Sequence, residues 1–226
     1  MKISANVLIR NEYKYIDGLI KNLLEADIDE LIFLDGGSND GSYEKLIEYE
    51  KHNKKIKVLR WPQPDNSEYK RGFKEKERRN LMMQASSCEY ILYIDADERI
   101  DIDLKNKLND NGDIYLLIQN HFWDKYIRIN MTNDNVWSPE YKYRIIKNNG
   151  IFKFNSFDKN GLHNYIAKNK IKIYNEKSKN KYKAILAKII NKINRVNVVY
   201  TDVKIYHLHY YNITTGIKVN DLRIND

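Results

Sequence analysis

The chain has 226 residues, a length that suits one α/β domain, and 42% of them are hydrophobic, which is enough for a buried core. Its net charge of +8 is spread along the chain without a recognised nucleic-acid motif, so we expect no nucleic-acid partner. The single cysteine, Cys88, excludes an internal disulfide, and the lack of a signal peptide or a membrane-spanning apolar run predicts a cytoplasmic protein.

Short apolar runs alternate with amphipathic segments over the first half of the chain. The apolar runs are predicted strands, and the segments with apolar residues at helical spacing are predicted helices. This order predicts a parallel sheet with helices on its faces. The predicted strands are 3–9, 31–34, 56–59 and 90–94, the predicted helices are 15–26, 43–51 and 77–86, and 61–76 is a predicted loop.

The second half of the chain is less regular and contains two further predicted strands, residues 114–118 and 198–209. Between them, Asn149-Gly150 suits a tight turn, so residues 143–147 and 151–154 are predicted to form a hairpin.

A basic amphipathic helix is predicted over residues 181–195. Most amphipathic helices turn their apolar side toward a core, and we expect this one to do so. The alternative is peripheral contact of 181–195 with an anionic membrane, at the inner face of that membrane.

Three polar clusters follow predicted strands, at the sheet edge where α/β proteins bind ligands. They are Arg10-Asn11, Asp35 and the pair Asp95 and Asp97. If the strand continues, residues two apart face the same way, so the two aspartates bind one divalent cation together. Mn²⁺ or Mg²⁺ held in this way can bridge a diphosphate, and we expect such a site here.

Each cluster also has a simpler interpretation. Asp-x-Asp alone is common in solvated loops, and an aspartyl phosphatase usually carries it on the first strand rather than the fourth. The carboxylate of Asp35 can accept hydrogen bonds from a base or a ribose, whereas Asp40 and Ser42 are predicted to have a structural role at the start of the following helix. Arg10, Arg78 and Arg79 can hold a diphosphate or form surface salt bridges.

The motifs resemble those of the family-2 glycosyltransferases, which have the GT-A fold. The resemblance implies that Asp35 contacts the nucleoside and that Asp95 and Asp97 form the metal and diphosphate motif, with Asp97 as the direct ligand. Many members have a second acidic residue at the position of Gly36. The segments that carry the resemblance lie within residues 3–99 and are Leu8–Glu12, Leu34–Ser42, Arg79–Leu81 and Ile94–Glu98.

The second half more loosely resembles one branch of that family, the bacterial lipopolysaccharide-core glucosyltransferases and related short proteins. The matching segments are 139–144, 161–164 and 207–210. Asn164 stands where this branch usually has Glu, and the resemblance implies that His207 completes the metal site.

The resulting hypothesis is a single GT-A domain over 1–226, with a nucleotide-sugar half, 1–99, and an acceptor half, 100–226. It transfers a hexose, with inversion, from a nucleotide-sugar, expected to be a UDP-sugar, to a glycan or lipid-linked acceptor in polysaccharide biosynthesis. Inverting transfer needs a base, and the candidates are His163, Asp158 and Glu140. The alternatives are a non-catalytic or impaired nucleotide-sugar-binding protein, a sugar-phosphate nucleotidyltransferase and a basic nucleic-acid-binding module.

Overall fold

The computed structural model describes residues 1–64, 74–109, 111–122, 127–128, 140–156, 164–168, 171–173 and 181–208. These residues form a large mixed sheet with helices packed on it and a second, three-stranded sheet. The helices are α1 (Tyr13–Glu25), α2 (Ser42–His52), α3 (Glu75–Ala85), α4 (Leu104–Lys107) and α5 (Lys181–Ile193). The strands are β1 (Ile3–Ile9), β2 (Glu30–Asp35), β3 (Ile56–Arg60), β4 (Tyr90–Tyr93), β5 (Glu98–Ile100), β6 (Ile114–Phe122), β7 (Ile127–Arg128), β8 (Glu140–Lys147), β9 (Phe152–Ser156), β10 (Asn164–Lys168), β11 (Ile171–Lys172) and β12 (Val198–His207).

The large sheet has the strand order β3-β2-β1-β4-β8-β6-β12-β5, with β7 paired to β6. Strands β1, β2, β3 and β4 pair in parallel, and β12 is parallel to β6. Because β8 is antiparallel to both β4 and β6, the strands β3, β2, β1, β4, β6 and β12 all run in one direction. The predicted α/β class with a mostly parallel central sheet is therefore confirmed.

The sheet curls so that β5 returns toward β4. Only residues 94–97 separate these two strands in the chain, yet β5 lies beyond β8, β6 and β12 in the strand order. A segment of this length reaches the far edge only if the sheet bends toward itself. The turn at 94–97 therefore joins an inner strand of the sheet, β4, to its edge strand, β5.

Apolar side chains are buried on both faces of the large sheet. On one face, α1 buries Ile16, Leu19 and Leu23 against the strands, as its helical spacing predicts. On the other face, the core includes Phe152 of β9 and Ile166 of β10, which join the small sheet to the large one. Both halves of the chain therefore share a continuous sheet.

The predicted hairpin is wrong. Strand β8 pairs on its two sides with β4 and β6, whereas β9 pairs with β10 in the other sheet. Because both edges of β8 already have partners, β9 cannot add to it. Gly150, with φ of 74°, lies in the connection that carries the chain from one sheet to the other.

The expectation that α5 packs its apolar side on the core is also wrong. Its buried residues are Ala187 and Asn191, while Ile185, Leu186 and Ile189 are exposed. Residues 65–73 of the predicted loop 61–76 lie outside the described residues, and α3 begins at Glu75, before the predicted end of the loop. Among the described helices, none has both the length and the apolar character that crossing a membrane requires.

Candidate functional site

The connections that follow β1 and β2 are tied together by Asn11. Its backbone has φ of 58°, in the left-handed region that Asn tolerates better than most residues. Its N–H donates to Ser38 Oγ at 2.9 Å, and its Oδ1 accepts the N–H of Asn39 at 2.9 Å. Asn11 therefore organises the sheet edge where the sequence predicts a ligand.

Asp35 is fully buried at the end of β2. Its carboxylate accepts the N–H groups of Gly37 at 2.9 Å and of Ser38 at 3.1 Å, and Arg60 Nε lies 3.5 Å away. These contacts fix the turn. The nucleoside contact of Asp35 remains a prediction.

The structural role predicted for Asp40 is confirmed. Its Oδ1 accepts hydrogen bonds from the N–H and the hydroxyl of Ser42, and its Oδ2 accepts the N–H of Tyr13. Burial raises the pKa of Asp40, but these hydrogen bonds outweigh burial and lower it. The start of α2 is thereby joined to the start of α1.

Asp95 and Asp97 do not share one extended segment, because β4 ends at Tyr93 and the chain turns at 96–97. The extended geometry on which their shared direction depended therefore does not continue through Asp97. Asp95 Oδ1 lies 3.8 Å from Arg79 Nη2, and Asp97 Oδ2 lies 3.0 Å from His207 Nε2. Each aspartate has its own cationic or imidazole neighbour.

The contact between Asp97 and His207 joins residues 110 positions apart in the chain. It follows from the curled sheet, because β12 pairs with β5 and His207 is in register with Glu98. The N–H of Leu208 also donates to the carbonyl of Asp97 at 2.8 Å. The structure therefore brings together two of the three residues predicted to bind metal, although their metal role is still a prediction.

Gln119 and Arg144 orient the ring of His207. Arg144 Nη2 donates to Gln119 Oε1 at 3.3 Å and to Glu98 Oε1 at 2.5 Å. Because arginine can only donate, the amide oxygen of Gln119 faces Arg144 and its NH₂ faces His207 Nδ1 at 3.2 Å. Nδ1 then accepts, and the ring proton lies on Nε2, toward Asp97.

Protonation of the His207 ring is favoured by its acidic neighbours. Burial lowers the pKa of His207, but the hydrogen bond to Asp97 and the charges of Asp97, Glu98 and Asp95 outweigh it, so the pKa is raised. A doubly protonated ring, or one that binds metal through Nε2, has its proton on Nδ1. Either state requires the amide of Gln119 to rotate and present its oxygen.

Glu98 and Arg144 form a buried ion pair beneath the turn. The side chain of Glu98 is 0% exposed and that of Arg144 is 12% exposed. Burial raises the pKa of Glu98 to about 7, although the charge of Arg144 opposes this shift. Glu98 Oε2 also accepts the N–H of Asp95 at 2.9 Å, so the pair holds the turn from below.

Arg99 holds the same turn to α1. Its guanidinium donates to the carbonyls of Ala96 at 3.1 Å, Glu98 at 2.6 Å and Tyr15 at 3.2 Å. Burial lowers the pKa of Arg99 to about 10. No role was predicted for Arg99, Gln119 or Arg144, although Arg144 ends the matching segment 139–144, because their contacts depend on strands distant in the chain.

Glu12 adds a further acid to the site. Burial, followed by the charges of Asp97, Asp40 and Asp95, raises the pKa of Glu12 to about 7. Glu12 ends the motif segment Leu8–Glu12, and no role was predicted for it. Burial is the largest cause of this shift, and the negative charge of the neighbouring aspartates adds to it.

The basic side of the site comprises Arg10, Arg78 and Arg79. Arg78 is buried and donates to Gln63 Oε1 at 3.0 Å and to the carbonyl of Trp61. Burial and the nearby charge of Arg10 lower the pKa of Arg78. Arg79 donates to Glu75 Oε1 at 2.6 Å, and its guanidinium lies 5.5–5.8 Å from the ring centres of Phe154 and Tyr93.

Within the part of the chain that the structure describes, no group of three His, Cys, Asp or Glu side chains could hold a metal ion. Asp97 and His207 nevertheless offer one carboxylate and one imidazole, donor types that divalent transition metals accept. The predicted bases His163 and Asp158 lie outside the described residues, and the side chain of Glu140 is not described.

The family model for glycosyl transferase family 2 matches residues 4–158, more than half of the chain. The chain belongs to glycosyl transferase family 2. The match contains β1, β2, β4 and the turn at 94–97, which carry the polar residues described above. No curated protein matches the chain.

Solved glycosyltransferases share the fold of this family member. GalNAc-T7 with UDP, GalNAc and Mn²⁺ has a TM-score of 0.57 and 13% identity, and covers 94% of this chain and 44% of its own. The Pyrobaculum calidifontis mannosyltransferase PcManGT with GDP-Man and Mn²⁺ has a TM-score of 0.53 and 10% identity. Its match covers 91% of this chain and 56% of PcManGT. S. aureus TarS 1-349 with UDP has a TM-score of 0.53 and 17% identity. Its match covers 92% of this chain and 60% of TarS 1-349. The chain therefore spans about half the length of these proteins, and the likeness confirms the GT-A fold.

Proposed function

We propose that this glycosyltransferase moves a hexose, with inversion and with the help of a divalent metal, from a nucleotide-sugar to a glycan or lipid-linked acceptor. The observation that carries the proposal is the 3.0 Å contact of Asp97 with His207 at the carboxyl edge of the sheet. Residues 1–99 provide the nucleotide-sugar half of one domain, and residues 100–226 provide the acceptor half.

Asp97 and His207 are the proposed protein ligands of Mn²⁺ or Mg²⁺, with Asp95 beside them. The cation supplies Lewis-acid neutralisation of the diphosphate leaving group. Arg79 and Arg10 contribute positive charge for the diphosphate, and Asp35 receives the nucleoside. The Mn²⁺ in the GalNAc-T7 and PcManGT structures supports the choice of metal.

The donor is proposed to be a UDP-sugar, because GalNAc-T7 and TarS were solved with UDP. PcManGT was solved with GDP-Man, so the test must also determine which nucleobase the donor carries. His163 and Asp158 are proposed as bases that take the proton of the acceptor hydroxyl.

The test measures thermal unfolding with a panel of UDP-, GDP-, dTDP- and CMP-sugars, with and without Mn²⁺, together with nucleotide release. At a ligand concentration of about 100 times Kd, the expected stabilisation is about 2.7 kcal/mol. No metal-dependent stabilisation by any nucleotide would refute the proposal. Binding without turnover on any acceptor would instead favour a non-catalytic nucleotide-sugar-binding protein.

Asp97→Asn tests the metal assignment while it preserves the shape of the side chain. We expect this variant to lose Mn²⁺-dependent nucleotide binding. Asp17→Asn is the matched control, because Asp17 is an exposed aspartate whose partners are Lys45 and Tyr49. If Asp97→Asn binds nucleotide and Mn²⁺ as the control does, the metal site lies elsewhere even though the family assignment stands.

A further inference from the structure

Helix α5 presents an apolar stripe to solvent. Five of its large apolar side chains are exposed by 48–85% of their surface, and Ile190 is half-buried, whereas the small residue Ala187 and the polar residue Asn191 are buried. A helix that serves only to cover a core has the opposite arrangement. The exposed residues, which we call the α5 apolar stripe, are Tyr182, Ile185, Leu186, Ile189 and Ile193.

Contacts at the end of α5 fix this orientation. Lys168 Nζ donates to the carbonyls of Asn194 at 2.7 Å and Arg195 at 3.2 Å. The N–H of Val196 donates to the carbonyl of Asn191 at 3.0 Å, and Val196 packs in the apolar cluster that contains Phe152. The helix cannot rotate its apolar stripe inward without breaking these contacts.

Lysines border the α5 apolar stripe, and the helix contains no acidic residue. At 100° per residue, Lys181, Lys188 and Lys192 lie along one border of the stripe and Lys183 lies along the other. All four are exposed. The face therefore has an apolar centre and a positive rim.

We propose that α5 docks on the surface of a membrane that contains anionic phospholipid. The α5 apolar stripe enters the boundary between headgroups and acyl chains, and the lysines bind phosphate groups beside it. A second copy of the chain fits this face poorly, because symmetric pairing places the lysine rims of two helices against each other. Docking is independent of the nucleotide site and brings the enzyme to the surface where lipid-linked acceptors lie.

The experiment is sedimentation of the full chain with phosphatidylcholine vesicles, with and without phosphatidylglycerol, over a range of salt concentrations. We expect binding only when phosphatidylglycerol is present, with loss at high salt. No binding, or equal binding to phosphatidylcholine alone, would overturn the proposal.

Two double variants divide the face into its parts. Ile185→Ser with Ile189→Ser removes the centre of the stripe, and Lys188→Gln with Lys192→Gln removes part of the rim. Each lysine near an anionic surface contributes about five-fold in affinity, so the second variant should bind at least about ten-fold more weakly. The first should lose binding by a similar or larger factor.

The matched control is Lys54→Gln with Lys57→Gln, which removes two exposed lysines far from α5 in the chain. It should bind vesicles like the unaltered protein. Equal weakening in this control would assign binding to overall charge and overturn the proposal. If the unaltered protein forms a dimer and the Ile185→Ser, Ile189→Ser variant does not, the α5 apolar stripe is an interface between copies. That result would also overturn the proposal.

Thermal shift by nucleotide and Mn²⁺ without lipid reports the donor site separately. We expect the α5 variants to keep their unfolding temperature and this shift. Failure of vesicle binding with an intact shift thus refutes only docking, whereas loss of the shift in the unaltered protein refutes only the proposed donor site.

Discussion

Removing Arg144 leaves the carboxylate of Glu98 buried without its cationic partner. The guanidinium and the carboxylate are 2.5 Å apart, and Glu98 is 0% exposed, so solvent cannot replace the arginine. Loss of one partner of a buried ion pair typically costs about 3–5 kcal/mol, and because Glu98 has a pKa of about 7, this cost applies above that pH, where the carboxylate is ionised. For Arg144→Met, that loss lowers the unfolding temperature by about 6–20 °C in a chain of this size, at 2–4 °C per kcal/mol.

Urea and thermal unfolding of Arg144→Met measure this loss. Lys147→Met is the matched control on the same strand, because its pair with Glu89 spans 3.8 Å and is 33–50% exposed. An exposed pair of this kind contributes at most about 1 kcal/mol. If Arg144→Met loses no more stability than Lys147→Met, the pair with Glu98 does not hold the turn.

The double variant Glu98→Gln, Arg144→Met isolates the pair itself. With the buried charge removed, most of the stability lost in Arg144→Met should return, since replacing both members of a buried pair is often nearly neutral. A double variant as unstable as the sum of the two single variants would contradict this reasoning.

Three further predictions concern the site and its support. Gln119→Leu should weaken Mn²⁺ binding by about 10–100-fold in calorimetric titration, because His207 loses its orienting partner. Gln119→Glu should retain the Mn²⁺ affinity of the unaltered protein. Equal affinity in the unaltered protein and both variants would exclude Gln119 as an orienting residue. Glu12 has a pKa of about 7 in the folded protein, above its unfolded value near 4.5. Between these pH values the unfolded chain releases a proton that the metal-free fold retains, so the stability of the fold decreases as the pH rises. The stability of Glu12→Gln relative to the unaltered protein should therefore grow over that interval in urea unfolding, and a pH-independent difference would argue against it. In Gly112→Ala, the new Cβ would lie 2.5–2.9 Å from ring atoms of the buried Tyr115. We expect this variant to lose about 1–3 kcal/mol of its free energy of unfolding, measured with urea. Unchanged stability would contradict this expectation.

Hydrophobic periodicity was enough to predict the first half of the fold. Strands β1 to β4 and helices α1 to α3 lie within a few residues of their predicted bounds, because each element buries one apolar run or stripe. The same order of elements places Arg10, Asp35 and Asp95 at one edge of the sheet. The position of these three residues in the fold could therefore be predicted from the sequence, and their role in binding a nucleotide-sugar stays a prediction.

The connections between distant strands could not be predicted in this way. Local pattern suggested a hairpin at Asn149-Gly150, but β8 finds partners on both sides in β4 and β6, which lie elsewhere in the chain. The positioning of His207 by Gln119 and Arg144 likewise depends on β12 and β8 lying on either side of β6. Side chains on different strands become neighbours only when the sheet has formed.

The sequence by itself determined that α5 is a basic amphipathic helix, because spacing and composition are local properties. Only the tertiary structure decided that its apolar side faces outward, since that depends on Lys168 and Val196 anchoring the helix end. In the same way, the sequence supplied Asp95 and Asp97, and the curl of the sheet decided which of them meets His207. Helical spacing and residue types can be recognised in the sequence, whereas contacts between distant residues form only when folding assembles the curled sheet.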